Sequence, residues 1–133
     1  MTTQKSTQKL IGIISGYIEE ANELIAHLRK FTLVSWRFAA SKDDDKIKRF
    51  INITNYLSEE VHMMDAKMNT AYSIIEMYHD CNLVSSEDAK IINSNLDDII
   101  KDYRDRYNVF IEDIDKHVPD WKTKCFEQSM GDN

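Results

Sequence analysis

An all-α fold, an elongated antiparallel three-helix bundle of up-down-up order with a short helix after Pro119, is what this sequence predicts, and three observations predict it. Apolar residues recur at steps of three and four over three long segments. Only three glycines and one proline occur in 133 residues, too few turn residues for a sandwich, a barrel or a run of βαβ units. Serine and aspartate three residues apart stand ahead of the second and third segments, the pattern of a helix N-terminus. A composition of 42% hydrophobic and 30% charged residues belongs to one globular domain covering residues 1–133.

The first segment, expected as a helix over about 6–38, carries Leu10, Ile14, Tyr17, Ala21, Leu24, Leu28 and Phe31, widened by Ile11, Ile18 and Ile25. Ser6 is its expected N-cap, because a serine hydroxyl accepts from the unpaired amides of a first turn. The second, expected over about 42–80, runs Ile47, Phe50, Thr54, Leu57, Val61, Met64, Met68, Ala71, Ile75, Tyr78 without a miss. That heptad favours left-handed, coiled-coil-like packing. Ser41 with Asp44 forms its expected capping box, and Asp43, Asp44 and Asp45 put negative charge at the positive end of the helix dipole.

The third segment, expected over about 86–117, opens on Ser85 and Asp88 and runs Ile92, Leu96, Ile99, Tyr103, Tyr107, Phe110, Ile114, Val118. Its pattern repeats over eleven residues, which suits a straighter helix than a heptad does. Pro119 lacks an amide hydrogen and disfavours helical geometry at Val118, so the helix ends there and a short one follows over about 120–130. At 1.5 Å per residue the three long helices would each measure about 45 to 60 Å. Stripes this wide also allow completion of the bundle by a homodimer.

Charge and cysteine usage narrow the function classes. Residues 1–50 hold nine basic and six acidic groups, whereas residues 51–133 hold eight and seventeen, giving +3 and −9. An acidic majority without a basic stripe argues against duplex nucleic acid, where phosphate neutralisation dominates affinity. No run approaches the roughly 18 apolar residues of a membrane span. Cys81 and Cys125 stand in no metal-ligand or redox spacing, which fits free thiols in a cytoplasm, that of the producing cell or of a host cell.

No catalytic signature is present: no G-x-S-x-G, glycine-rich phosphate loop or H-E-x-x-H occurs, and no cofactor is implied. Two E-x-x-H elements, Glu59 with His62 and Glu76 with His79, have the spacing that holds irons in ferritin-like bundles. They lie on one helix about 25 Å apart, so only copies from another chain could complete a metal site, and the expected assignment is none. The acidic run from Asp97 to Asp115 is interrupted by Lys101, Arg104 and Arg106 and is read as a solvated face.

Two features point to partners. Gly12 and Gly16 give the first helix a flat patch on which another backbone could approach. Residues 29–49 interleave seven basic groups with apolar and aromatic ones where the first two helices join, and Arg29, Leu33, Val34, Trp36, Arg37 and Phe38 are the candidate contact residues. The expectation is therefore a non-enzymatic protein-protein interaction module of the inhibitor, immunity, secretion-chaperone or adaptor kind. A self-assembling structural bundle is the alternative, and a metal-binding bundle with an interface site a further one.

Overall fold

A computed structural model describes residues 2–131, and among them every regular element is an α-helix. The order is α1 (Thr2–Phe31), α2 (Ser35–Ala39), α3 (Asp44–Asp80), α4 (Ser86–His117) and α5 (Trp121–Gly131). α1 packs along both α3 and α4, α2 lies across α3 and α4, and α5 touches α3. α3 and α4 run antiparallel: Asp65 meets Tyr103, Tyr72 meets Asp97, and His79 meets Ser86. α1 is tied to the first of these by Lys67 and Glu20 at 2.9 Å, and its C-terminal end lies beside the C-terminal end of α4.

The core follows the helical periodicities. Leu10, Leu28, Phe50, Leu57, Met68, Ile75, Leu96, Tyr103, Phe110 and Ile114 are fully buried, with contributions from all three long helices. Burying each such side chain contributes on the order of 1.5–3 kcal/mol, far more than helix propensity can supply. Tyr103 carries a hydroxyl into this core and donates it to Asp65, so the polar tip is satisfied where the ring is packed. The hydroxyls of Ser35 and Thr54 are buried without a hydrogen-bond partner.

Three expectations need correction. The first helix does not reach residue 38. It stops at Phe31, where the Thr32 hydroxyl bonds back to the Leu28 carbonyl at 2.7 Å and Leu33 takes a left-handed φ of 73°. The chain re-enters helix at Ser35, giving a five-residue α2 that the sequence pattern had merged with α1. Ser6 is not a cap but an interior residue, since α1 already runs from Thr2.

The second helix starts at Asp44 and is capped by Asp43, not by Ser41. Asp43 adopts an extended backbone (φ −82°, ψ 116°) and its carboxylate accepts the Asp45 amide at 2.9 Å, while Ser41 accepts the Asp43 amide one step earlier. Of the two capping-competent residues, Ser41 and Asp43, the carboxylate, stronger as an acceptor, caps the first turn. At α4, Ser85 accepts from the Asp88 amide at 3.1 Å, the bond its S-x-x-D spacing implies.

Candidate partner-binding surface

The join between α1 and α3 is built as a shaped tip. At Phe31 the helix ends with Thr32 still bonded to Leu28, and the next residue, Leu33, must turn left-handed to redirect the chain. An L-residue with a side chain pays about 1–2 kcal/mol for that conformation. What holds it is a distant carboxylate: Asp113 of α4 accepts the Leu33 amide at 2.9 Å. Asp113 itself is only 12% exposed and has His117 one turn on, whose Nδ1 lies 2.8 Å from the Asp113 carbonyl and 3.6 Å from its carboxylate.

The His117 ring in turn stacks on Trp36, with centroids 4.1 Å apart and planes 10° from parallel. The guanidinium of Arg37 lies 5.7 Å from the Trp36 ring, within cation–π range. α5 closes the rear: Trp121 packs edge-on against Phe50 and donates its indole N–H to Asp115, and Lys124 reaches the Ala39 carbonyl.

The candidate residues thus separate into two sets. Leu33 is 61% exposed and Val34 45%, so two neighbouring apolar side chains project from a backbone that α4 fixes. Arg29 and Arg37 are exposed beside them. Trp36 and Phe38 are half-buried against the core and support the tip from behind. Gly12 and Gly16 lie on the exposed side of α1, and a Cβ at either would meet nothing within 4 Å, so among the described residues no other helix packs on the flat patch.

Asp113 was hidden among the acidic residues of α4, because its role depends on an amide 80 positions away. The same run contains other carboxylates with assigned tasks. Asp97 accepts from Tyr72, and burial and then that bond push the Tyr72 hydroxyl up to about 12. Burial and then the bond to Asp65 raise the Tyr103 hydroxyl above the ordinary phenol range. Asp65 also takes Arg104 at 3.1 Å.

Along the α3–α4 seam an open groove of about 500 Å³ is lined by Tyr72, Glu76, His79, Asn93 and Asp97 over Ile75 and Ala89. Its neighbour, about 540 Å³, shares Tyr72 and Asp97 and mixes Asp105 with Lys101 and Arg104. These walls offer hydrogen bonds of both senses. Among the described residues no group of three or more His, Cys, Asp and Glu side chains converges as metal ligands. Cys81 is exposed in the turn after α3, and Cys125 is half-buried, its thiol pushed up by burial and so less nucleophilic at neutral pH. Among the described residues no helix is long and apolar enough to cross a membrane.

Comparison with protein-family models, curated proteins and solved structures gives no match to this chain.

Proposed function

We propose that this protein is a non-enzymatic protein-protein interaction module, an elongated up-down-up bundle of α1, α3 and α4 that engages a protein partner through the tip at Leu33 and Val34. The observation that carries the reading is the pairing of strain with exposure. Leu33 sits at φ 73° with most of its side chain in solvent, and a carboxylate from another helix fixes the amide that holds it there. Backbone strain kept at an exposed apolar residue does not serve packing, and strained positions of this kind gather at binding sites. Preorganised backbone lowers the ordering cost of association, and the nearby Arg29 and Arg37 are of a residue type enriched at binding hot spots. An inhibitor, an immunity protein, a secretion chaperone or an adaptor would each use such a surface, in the cytoplasm of the producing or a host cell.

The test is site-specific photo-crosslinking in the source cells. A photoreactive amino acid at Val34 is expected to give one adduct of defined mass, competed by unlabelled wild-type protein and not by Leu33→Asp. The same group at Asn95, exposed on α4, is expected to give none. No adduct from Val34, or one that Leu33→Asp competes equally well, overturns the reading.

A further inference from the structure

Cations along the shaft of the bundle are paired within the chain, and those at its tip are not. Along the shaft, Lys67 meets Glu20, Arg104 meets Asp65 and Lys101 meets Asp105. At the tip, residues 29–42 contain Arg29, Lys30, Arg37 and Lys42 and no acidic residue, although the whole chain carries −6. Among the described residues no carboxylate lies within ion-pair distance of Arg29, Lys30 or Arg37. The C-terminal dipole of α1 favours Arg29 and Lys30, but it amounts to about half a negative charge against two positive ones.

These cations frame the exposed apolar pair. Arg29 and Lys30 stand four and three residues before Leu33, and Arg37 stands three after Val34. The Lys30 ammonium lies 5.8 Å from the Phe31 ring and the Arg37 guanidinium 5.7 Å from that of Trp36, which is itself stacked on His117. Nearby acidic groups do not cancel them. Asp113 is 12% exposed and accepts the Leu33 amide, which leaves three cations around one enclosed carboxylate. Glu112 has Lys116 four residues on, the order and spacing that offset a charge on a helix face. The pairing of Asp65 with Tyr103 and of Tyr72 with Asp97 sets Asp113 level with about Asn55 of α3. Asp43, Asp44 and Asp45 are then about 15 Å or more along α3 from that level, beyond the roughly 8 Å screening length at physiological salt.

An exposed apolar pair rimmed by unpaired cations is complementary to an apolar depression edged with carboxylates. Extended polyanions fit less well. Outside residues 29–42 the chain carries thirteen basic and twenty-three acidic groups, which repel a nucleic acid or an anionic membrane lying against it. On the reading of the tip as a partner-binding surface, we infer that the partner is a protein with an acidic docking surface. Its Asp and Glu side chains ring the apolar site that takes Leu33 and Val34, and they pair with Arg29, Lys30 and Arg37.

The adduct formed by benzoylphenylalanine at Val34 in a lysate of the source cells tests this. Its yield is expected to fall about tenfold between about 0.05 and 0.5 M salt, because rim charges act through screened attraction. Arg29→Glu combined with Arg37→Glu is expected to lower the yield at low salt with helical circular dichroism unchanged, and Lys90→Glu, exposed on α4, to leave it as it is. Mass spectrometry is expected to find Asp or Glu within a few residues of the attachment point. Replacing those carboxylates by lysine in the partner is expected to restore the yield of the charge-reversed variant. An adduct that resists either salt or charge reversal, or one attached among neutral or basic residues, overturns the inference and leaves the tip as a partner surface. An adduct with nucleic acid or lipid, identified by nuclease digestion or by mass, overturns it in favour of a polyanion. No adduct from Val34 removes both the inference and the reading on which it rests.

Discussion

Leu33 and Asn82 are the two non-glycine residues with positive φ among those described, at 73° and 59°, and they hold the two ends of the bundle in different ways. At Asn82 the answer is local. The Leu83 amide bonds the Tyr78 carbonyl at 2.9 Å and the Asn82 amide bonds the His79 carbonyl at 3.0 Å, which together make a Schellman ending for α3. Asparagine tolerates the left-handed region, and every bond closes within six residues. At Leu33 one local bond, the Val34 amide to the Phe31 carbonyl at 3.3 Å, closes the turn, but the residue type is unfavourable and its own amide is satisfied by Asp113 on α4. One end is a turn the chain makes for itself. The other is a shape that the tertiary structure imposes.

Breaking the imposed end should have the largest effect. Asp113→Ala removes a charged acceptor that water can only partly replace, and is expected to cost about 1.5 kcal/mol, the lower range for bonds to charged groups. Urea denaturation measures it, and the same variant should lose crosslinking at Val34. No comparable carboxylate exists to remove at the Asn82 end.

A glycine scan sharpens the contrast. Leu33→Gly relieves a conformational cost of about 1–2 kcal/mol while adding unfolded-chain entropy, for a net gain of about 0.5–1 kcal/mol. Asn82→Gly starts from a tolerated residue and is expected to change stability by less than about 0.5 kcal/mol. Thermal melts of the two variants side by side check both values. Equal gains would mean that Leu33 is not strained. On the proposed function, the stabilised Leu33→Gly variant should nonetheless give weaker crosslinking at Val34, because the exposed apolar side chain is gone.

How much of this was legible follows the same division. The heptad of the second segment is buried residue for residue from Phe50 to Ile75, because each of those positions needs only its own helix to define its face. Ser85 and Asp88 predict the start of α4 for the same reason, as the cap and its donor are three residues apart. The break at Phe31 was not legible. Thr32 to Phe38 is β-branched and aromatic, contains no glycine or proline, and reads as continued helix unless the Asp113 carboxylate is known to be waiting.

The candidate surface was partly legible. Leu33 and Val34 were within reach of composition alone, as apolar residues in a basic segment. That Trp36 lies on His117 rather than in solvent, and that Asp113 organises the tip, depended on contacts about 80 positions apart that no local pattern encodes.

The smallest expected effect concerns pH and falls on the α3–α4 seam rather than the tip. Tyr72 has its hydroxyl raised from 10.0 to about 12, by burial first and then by the bond to Asp97, so the fold favours the neutral form. The stabilising contribution is complete below pH 10 and is lost as pH rises toward 12. Chemical denaturation at stepped pH should show a loss of stability across that window that is smaller in Tyr72→Phe.

The most direct test of the account is amide hydrogen exchange at Leu33, read by NMR in the wild type and in Asp113→Ala. If the tip is held from α4, the Leu33 amide is protected in the wild type to the level of its neighbours in α1, and it exchanges freely in the variant while α3 and α4 keep their protection. Free exchange at Leu33 in both proteins would contradict the claim that this surface is preorganised.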